Sequence, residues 1–436
     1  MGFYEANQVA NQWASNSFTP DFSALQAEAL LHGRADVLLA PTELVSLSNP
    51  YDPDLNEQFR GRGFHDLAYF EGKIYSPQGF GAAVLIDIPT RLLGFGYATP
   101  ALKILILVAL GTISFSLVAL GIISQYQKRS VSLKQVVVVL AITVISNPAT
   151  WLLIPGRAYQ VPVAAAYGAY GLGSFLFLHG RSEGKNRYYL WGSLFVGLAF
   201  ASRPNTLFAV FALTALFLFK CPHSKTLVSF GKKLLAVLLP MSLVFVCWAF
   251  FNQARFGKFF ETGHAYQMSG YNMRDYPIGS VEFIQQNVNA YLFTPIRKLA
   301  TFPYLSLSPG NTADLIGVQG HEDLSGLLIM YPLLCIAAIV SLVVFYRRRN
   351  YLIMSAVLLS GFIATLILLS GVFKDSTMRY TPDFAIFLVP IAAITLGLIQ
   401  SKVFIANRMA SIMWYSSIFA GTLVPFLVLL SDCQAC

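Results

Sequence analysis

Ten apolar stretches, each about 15 to 24 residues long, constrain the fold of this sequence more than any other feature. They lie at residues 101–124, 135–154, 158–179, 188–202, 204–219, 231–252, 324–346, 351–372, 381–400 and 411–431. Each is close to the roughly 20 residues that a helix needs to cross a bilayer. Only 12% of the residues are charged, against roughly 25% in soluble domains. The sequence therefore predicts an all-α polytopic membrane protein with about ten transmembrane helices.

The distribution of charge predicts the topology. The connections that follow the spans ending at 124, 179, 219, 346 and 400 carry fifteen of the thirty Lys and Arg residues, and Glu183 is their one acid. The rest of the chain carries the other fifteen basic residues and twenty acids. The positive-inside rule places these connections in the cytoplasm and the two long polar regions outside. The net charge of +9 thus reflects sidedness, and neither nucleic acid nor a soluble basic surface is expected.

Four parts follow from this topology. They are residues 1–100 as a first external loop, 101–252 as a bundle of six spans, 253–323 as a second external loop, and 324–436 as a bundle of four spans. Residues 1–78 hold ten acids and no apolar stretch that would translocate them, so an additional helix is expected before Met1, giving eleven spans. Residues 79–97 are apolar but interrupted by Asp87, Pro89 and Arg91, which favours a re-entrant or interfacial segment.

Several interrupted helices end in the outer leaflet. The stretch 188–219 contains Arg203-Pro204 at its centre and is too long for one span, so it is predicted to be a hairpin with Arg203 near its tip. An arginine within the membrane is costly, which suggests an anionic partner or ligand. Asn147-Pro148 breaks a second helix in the same layer, and Arg157 follows in the next external turn.

The first external region contains the candidate acids. Residues 21–32 have the spacing of an amphipathic helix on the membrane surface, and Asp21 is either its N-cap or a catalytic base. Asp66 follows His65 and precedes a turn with Lys73 and Tyr75. A carboxylate beside such polar and cationic groups suits a general base for a hydroxyl acceptor, although a loop carboxylate that holds its own turn would look the same.

Other polar motifs leave two interpretations each. Asp52-Pro53-Asp54 resembles a metal-binding string, but its proline favours a structural turn, so a divalent metal is the weaker alternative and no cofactor is expected. Arg379 and Asp383 are spaced to form an ion pair at a helix start, or Arg379 binds a phosphate. Arg255 opens the second external region as a further candidate for phosphate binding.

The whole pattern resembles the GT-C superfamily of polytopic glycosyltransferases, in particular the protein O-mannosyltransferases and RgtA/B/C/D-like bacterial enzymes. The resemblance rests on the layout of spans and loops and on short motifs. These are Asp21 to Gly33, Asp66 to Ser76, Ala201-Ser202-Arg203-Pro204, Arg255-Phe256-Gly257, and Arg379-Tyr380 with Asp383-Phe384. Where many relatives have a second acid after the third span, this chain has Arg157-Ala158-Tyr159-Gln160, so the paired-acid signature is incomplete.

The resemblance implies an inner-membrane enzyme with an external active site. It would transfer a sugar from a polyprenyl-phosphate carrier to a glycan, lipid or protein acceptor, with inversion. Asp21 or Asp66 would be the base, and Arg203 with Arg255 or Arg379 would hold the lipid phosphate. An O-antigen ligase or polymerase, relying on His264 or His321, is the first alternative. A lipid-linked-sugar transporter is the second, but the spans place almost no charge at their centres, where a transporter would need it.

Overall fold

The computed structural model describes residues 21–154, 156–220, 227–275, 279–308, 323–372, 376–406 and 408–434. His321, named above for the ligase alternative, lies outside them. The helices in the described part are α1 (Phe22–Leu31), α2 (Thr42–Val45), α3 (Pro53–Phe59), α4 (Ile88–Leu92), α5 (Pro100–Gln127), α6 (Leu133–Leu140), α7 (Val161–Glu183), α8 (Asn186–Ser202), α9 (Leu207–Lys220), α10 (Leu227–Phe256), α11 (Val281–Phe293), α12 (Leu327–Met330), α13 (Pro332–Val344), α14 (Arg349–Val372), α15 (Pro382–Ala406) and α16 (Arg408–Gln434).

The chain is a mainly helical, multi-pass membrane protein, as predicted. Five helices in the described part are long and apolar enough to cross a membrane, namely Pro100–Gln127, Ala158–Glu183, Val228–Phe256, Arg349–Val372 and Pro382–Gln400. Four shorter apolar helices are Leu133–Ile145, Pro204–Phe217, Pro332–Val344 and Tyr415–Ser431. All ten predicted stretches are helical over most of their length, while the total of ten spans stays a prediction.

Two of the predicted spans are interrupted. The stretch 135–154 is helical to Ile145, its last turn being a π-helix, and continues after Asn147 as a 3₁₀-helix from Pro148. The stretch 324–346 breaks between α12 and α13 at Tyr331-Pro332. The cause is the same in both, because proline lacks the N–H that an uninterrupted helix requires and disfavours helical geometry in the residue before it.

Small residues allow the central helices to approach closely. On α7, Gly168 lies against the backbone of Leu107 on α5, and Gly171 lies against Gly111. A Cβ atom added at Gly171 would come within 3.0 Å of the Gly111 backbone, so a larger side chain would push the helices apart. Close backbone approach through small residues is the usual way in which helices pack in lipid, where no hydrophobic effect drives them together.

The N-terminal polar region, residues 21–97, precedes the first long helix and combines short helices with strands. It contains an antiparallel sheet in the order β1-β3-β2, formed by Leu38–Leu39, Lys73–Tyr75 and Ala68–Phe70. The turn predicted around Lys73 is therefore a β-hairpin, and a second small hairpin pairs β4 (Arg297–Lys298) with β5 (Leu305–Ser306). These strands are the one departure from an all-α fold in the described part of the chain.

Helix α1 differs from the predicted surface helix. Its bounds agree with the prediction, and the side chain of Asp21 caps it by accepting a hydrogen bond from the N–H of Ala24. Most of its residues are buried, including the polar Ser23 and Gln26, so α1 packs on several sides and has no polar face turned to water. The spacing of apolar residues within α1 could not predict this burial, because the elements that cover the helix come from distant parts of the sequence.

The segment predicted to be re-entrant packs on the hairpin tip formed by α8 and α9. It forms a short helical stretch, a π-helix at Ala83–Asp87 followed by α4. A Cβ atom on Gly79 would collide with the carbonyl oxygen of Ala201, and one on Gly81 would collide with the backbone at Ser202. Only glycine permits this approach, which fixes residues 79–81 next to Arg203.

Candidate active site

Asp66 is held in an unusual backbone conformation beside a tyrosine. Its φ angle is +61°, a left-handed region that Asp and Asn enter more readily than other non-glycine residues. Its N–H donates to the carbonyl of Met268 over 2.8 Å, and its carboxylate accepts a hydrogen bond of 2.9 Å from the hydroxyl of Tyr159. The His65 imidazole lies 3.6 Å from the same carboxylate oxygen. Asp66 is thus an oriented acid that is partly open to solvent.

A chain of ring contacts connects Asp66 to two arginines. The guanidinium carbon of Arg379 lies 5.7 Å from the centre of the Tyr159 ring and 5.4 Å from that of Tyr380. The guanidinium carbon of Arg203 lies 4.7 Å from the Tyr380 ring. Three of the residues named from the sequence, Asp66, Arg203 and Arg379, are therefore joined through Tyr159 and Tyr380. We call these five residues the Asp66–arginine cluster.

Arg203 has the anionic partner that its position in the membrane predicted. Its Nε lies 2.8 and 2.7 Å from the two carboxylate oxygens of Asp383, which is almost completely buried. The Nη2 of Arg203 is also buried and has no hydrogen-bond partner among the residues that the structure describes. Asp383 thus neutralises and orients the guanidinium through Nε.

Asp21 lies in a second cluster around a fully buried lysine. Lys103, near the start of α5, is 0% exposed and places its Nζ 2.7 Å from Asp21 and 3.1 Å from the hydroxyl of Ser23. It also contacts the carboxylate of Asp87, which is equally buried. We call Asp21, Asp87 and Lys103 the lysine cluster. Phe22 connects it to the other cluster, because its ring packs edge-on against Tyr159 at 5.2 Å.

Arg255 connects the end of α10 to the segment that follows β3 through hydrogen bonds. Its Nη1 donates to the carbonyls of Ser76 and Gln78 over 2.7 and 3.3 Å, and its Nη2 donates to the Asn252 side chain over 2.5 Å. Tyr75 packs nearby on Phe256, and burial raises the pKa of the Tyr75 hydroxyl. These contacts join the β3 strand to the end of α10, so Arg255 already has protein partners where a phosphate site was expected.

The remaining candidates belong to neither cluster. Lys73 is about half exposed and lies 3.8 Å from Asp36. Arg157 is exposed at the start of a 3₁₀ turn. Asp52 caps α3 by accepting from the N–H groups of Asp54 and Leu55, the structural turn named as one of its two interpretations. In the described residues no three His, Cys, Asp or Glu side chains are grouped to hold a metal ion.

Three important partners were missed in the sequence. Lys103 and Tyr159 were not selected as candidates, and Asp383 was paired with Arg379 instead of Arg203. The sequence did contain a signal for two of the ion pairs, Lys103 with Asp87 and Arg203 with Asp383. Lys103 and Asp87 are both charged residues in otherwise apolar surroundings, as are Arg203 and Asp383, and such residues are expected to pair.

His264 is partly buried and lies close enough to Asp66 for the two side chains to interact electrostatically. Burial lowers the pKa of its imidazole from 6.5, and the carboxylates of Glu261 and Asp66 only partly oppose this. The unfolded chain therefore binds a proton more readily than the folded protein in the window below about pH 6.5. Stability contributed by neutral His264 is present above that pH and is lost as the pH falls through the lowered pKa.

We expect His264→Gln to flatten the loss of stability between pH 7.5 and pH 5, because glutamine does not titrate. The measurement is the unfolding temperature of both proteins in detergent as a function of pH. His32→Gln is the control, since the side chain of His32 is about half exposed. The pH dependence would not be due to His264 if the unfolding temperature fell with pH as steeply in His264→Gln as in the wild type. The same holds if His32→Gln reduced this slope equally.

Comparisons with known proteins give one similar structure. No protein-family model and no curated protein sequence matches the chain. Among solved structures the chain is similar to the archaeal oligosaccharyltransferase AglB from Archaeoglobus fulgidus in complex with an inhibitory peptide and a dolichol-phosphate, with 13% identity and a TM-score of 0.45. The similarity covers 99% of this chain and 56% of AglB, so the chain spans about half the length of that protein.

Proposed function

We propose that the protein is a membrane glycosyltransferase of the GT-C type that transfers a sugar from a polyprenyl-phosphate carrier to an acceptor hydroxyl on the external side. The observation that carries this proposal is the Asp66–arginine cluster, which joins a base to two cations at one end of a membrane bundle. A sugar-phosphate transfer needs this combination, since a hydroxyl loses a proton while a phosphate anion departs.

Proton transfer takes place at Asp66, and the leaving phosphate is bound at the two arginines. Asp66 accepts the proton of the acceptor hydroxyl, and the acceptor oxygen forms a bond to the anomeric carbon of the sugar. The bond between that carbon and the phosphate oxygen breaks, and the polyprenyl phosphate leaves with the electron pair. Attack on the face opposite the phosphate inverts the anomeric configuration. Tyr159 orients Asp66 by donating a hydrogen bond to it.

The arginines hold the leaving phosphate. The unpartnered Nη2 of Arg203 supplies a hydrogen-bond donor, while Asp383 fixes the same guanidinium through Nε. Arg379 adds a second positive charge on the side nearer Asp66, because it contacts both tyrosines. Fixed cations aimed at a developing negative charge are among the most effective contributions a protein makes to such a reaction.

Of the two acids named from the sequence, the geometry favours Asp66 as the base. Asp21 accepts from Ser23 and Ala24 and lies against the ammonium of Lys103. With the Lys103 ammonium 2.7 Å away, the Asp21 carboxylate is already engaged in an ion pair within the protein. Asp66 accepts from a neutral hydroxyl and remains partly exposed, where an acceptor can reach it.

The proposal is tested with sealed membrane vesicles that contain the protein. Right-side-out vesicles supplied with a radiolabelled polyprenyl-phosphate sugar are expected to transfer label to membrane acceptors, and vesicles without the protein are not. Inside-out vesicles, whose external face is enclosed, are expected to transfer far less. Equal transfer by both orientations, or label taken only from a nucleotide sugar, would contradict the proposal.

A further inference from the structure

A cavity of about 380 Å³ lies inside the helix bundle. Its walls are aromatic and aliphatic side chains from several helices, among them Phe115 on α5, Leu213 on α9 and Met354 on α14. Along α7 the lining extends from Tyr170 to Arg181, which is about 16 Å at 1.5 Å per residue. One leaflet of a bilayer contributes roughly 15 Å of hydrocarbon. The cavity is therefore deep enough for one lipid chain of a single leaflet.

The charged and amide side chains of the lining lie at one end of this cavity. Gln125 and Arg181 lie in the last turns of α5 and α7, Lys233 lies in the second turn of α10, and Asn350 lies in the first turn of α14. No Asp or Glu lies among the described residues that line the cavity. Glu183, the acid next to this rim in the sequence, is engaged by Lys185 at 3.0 Å. The apolar cavity thus ends in a rim with two positive charges.

This rim is at the opposite end of the bundle from the Asp66–arginine cluster. Arg203 and Asp383 mark the far ends of α8 and α15, whereas Arg181 and Lys233 belong to connections that the positive-inside rule places in the cytoplasm. The cavity therefore faces the cytoplasmic leaflet, and it is separate from the proposed site of sugar transfer.

We propose that the cavity binds one acyl chain of an anionic glycerophospholipid from the cytoplasmic leaflet, with its headgroup phosphate held by Arg181 and Lys233. The apolar lining suits the chain, and the basic rim without a carboxylate suits a phosphate anion. A polyprenyl carrier fits less well, because its chain is longer than one leaflet is thick and its phosphate is needed at the other end of the protein.

The test compares binding of phosphatidylglycerol and phosphatidylcholine with identical acyl chains to the detergent-purified protein, measured by native mass spectrometry. The wild type is expected to bind one phosphatidylglycerol at least tenfold more tightly. Each basic residue near the headgroup contributes about a fivefold gain, so Arg181→Gln with Lys233→Gln is expected to weaken phosphatidylglycerol binding about 30-fold. The double variant Arg187→Gln with Lys232→Gln is the matched control, since neither residue lines the cavity.

A second variant tests the cavity without changing charge. Leu213→Trp fills the space and is expected to weaken binding of both phospholipids, with the helical circular dichroism of the wild type retained. Equal binding of the two phospholipids by the wild type would overturn the proposal, as would a preference that survives in Arg181→Gln with Lys233→Gln. Tighter binding of a polyprenyl phosphate than of phosphatidylglycerol would overturn the choice of occupant.

Discussion

Asp66→Asn is expected to reduce sugar transfer by about 10²- to 10⁴-fold, the usual contribution of a general base. Asparagine cannot accept the acceptor proton, but it keeps the shape of the side chain and tolerates the φ angle of +61°. The amide oxygen also still accepts the hydrogen bond from Tyr159. The loss should therefore appear in the transfer rate, with donor binding and the unfolding temperature close to those of the wild type.

Asp21→Asn is the matched control for this prediction. Its carboxylate contacts Lys103 and caps α1, so the substitution is expected to lower stability more than it lowers transfer per folded molecule. The opposite result would move the base to Asp21. In that case Asp66→Asn would transfer sugar at the wild-type rate, and Asp21→Asn would be stable but would not transfer sugar.

Lys103→Met is expected to destabilise the folded protein by about 3–5 kcal/mol, as is usual when one member of a buried ion pair is removed. Methionine fills a similar volume but leaves the carboxylates of Asp21 and Asp87 without their cation. The measurement is unfolding by SDS in mixed micelles. Adding Asp87→Asn to the variant is expected to recover part of the stability, because one of the two uncompensated acids is then neutral.

Lys73→Met provides the comparison at an exposed position. Lys73 is about half exposed and lies 3.8 Å from Asp36, so its loss is expected to change the free energy of unfolding by about 1 kcal/mol or less. Similar effects of Lys73→Met and Lys103→Met would show that the lysine cluster does not stabilise the protein. No gain on adding Asp87→Asn to Lys103→Met would contradict the role of Lys103 as its counter-ion.

The sequence predicted the helices well because their signals are local. Apolar length gives the five long helices, and Asp21, Asn147 and Pro204 mark ends and breaks that the structure contains. The burial of α1 was not predictable in the same way. Spacing suggested one apolar face, but the segment 79–97 and the loop before α7 cover the others, and such contacts leave no trace in the periodicity of α1.

Pairing between distant residues was the least predictable feature of the site. Arg203 and Asp383 are 180 positions apart, and the local spacing of Arg379 and Asp383 suggested a different pair. Lys103 and Asp21 are 82 positions apart and both have ordinary local explanations, as a span-end lysine and a helix cap. The sequence named Asp66, Arg203 and Arg379 as candidates, whereas the contacts that these residues make required the three-dimensional arrangement.

The most direct test of the proposed function offers three donors to the purified protein in lipid vesicles, with a total membrane glycolipid extract as the acceptor. We expect sugar transfer from a polyprenyl-monophosphate sugar with inverted anomeric configuration, reduced by about 10²- to 10⁴-fold in Asp66→Asn. A nucleotide sugar and a polyprenyl-diphosphate oligosaccharide should not serve as donors. Transfer only from the diphosphate oligosaccharide, lost in His264→Ala and retained in Asp66→Asn, would contradict the account and indicate a ligase.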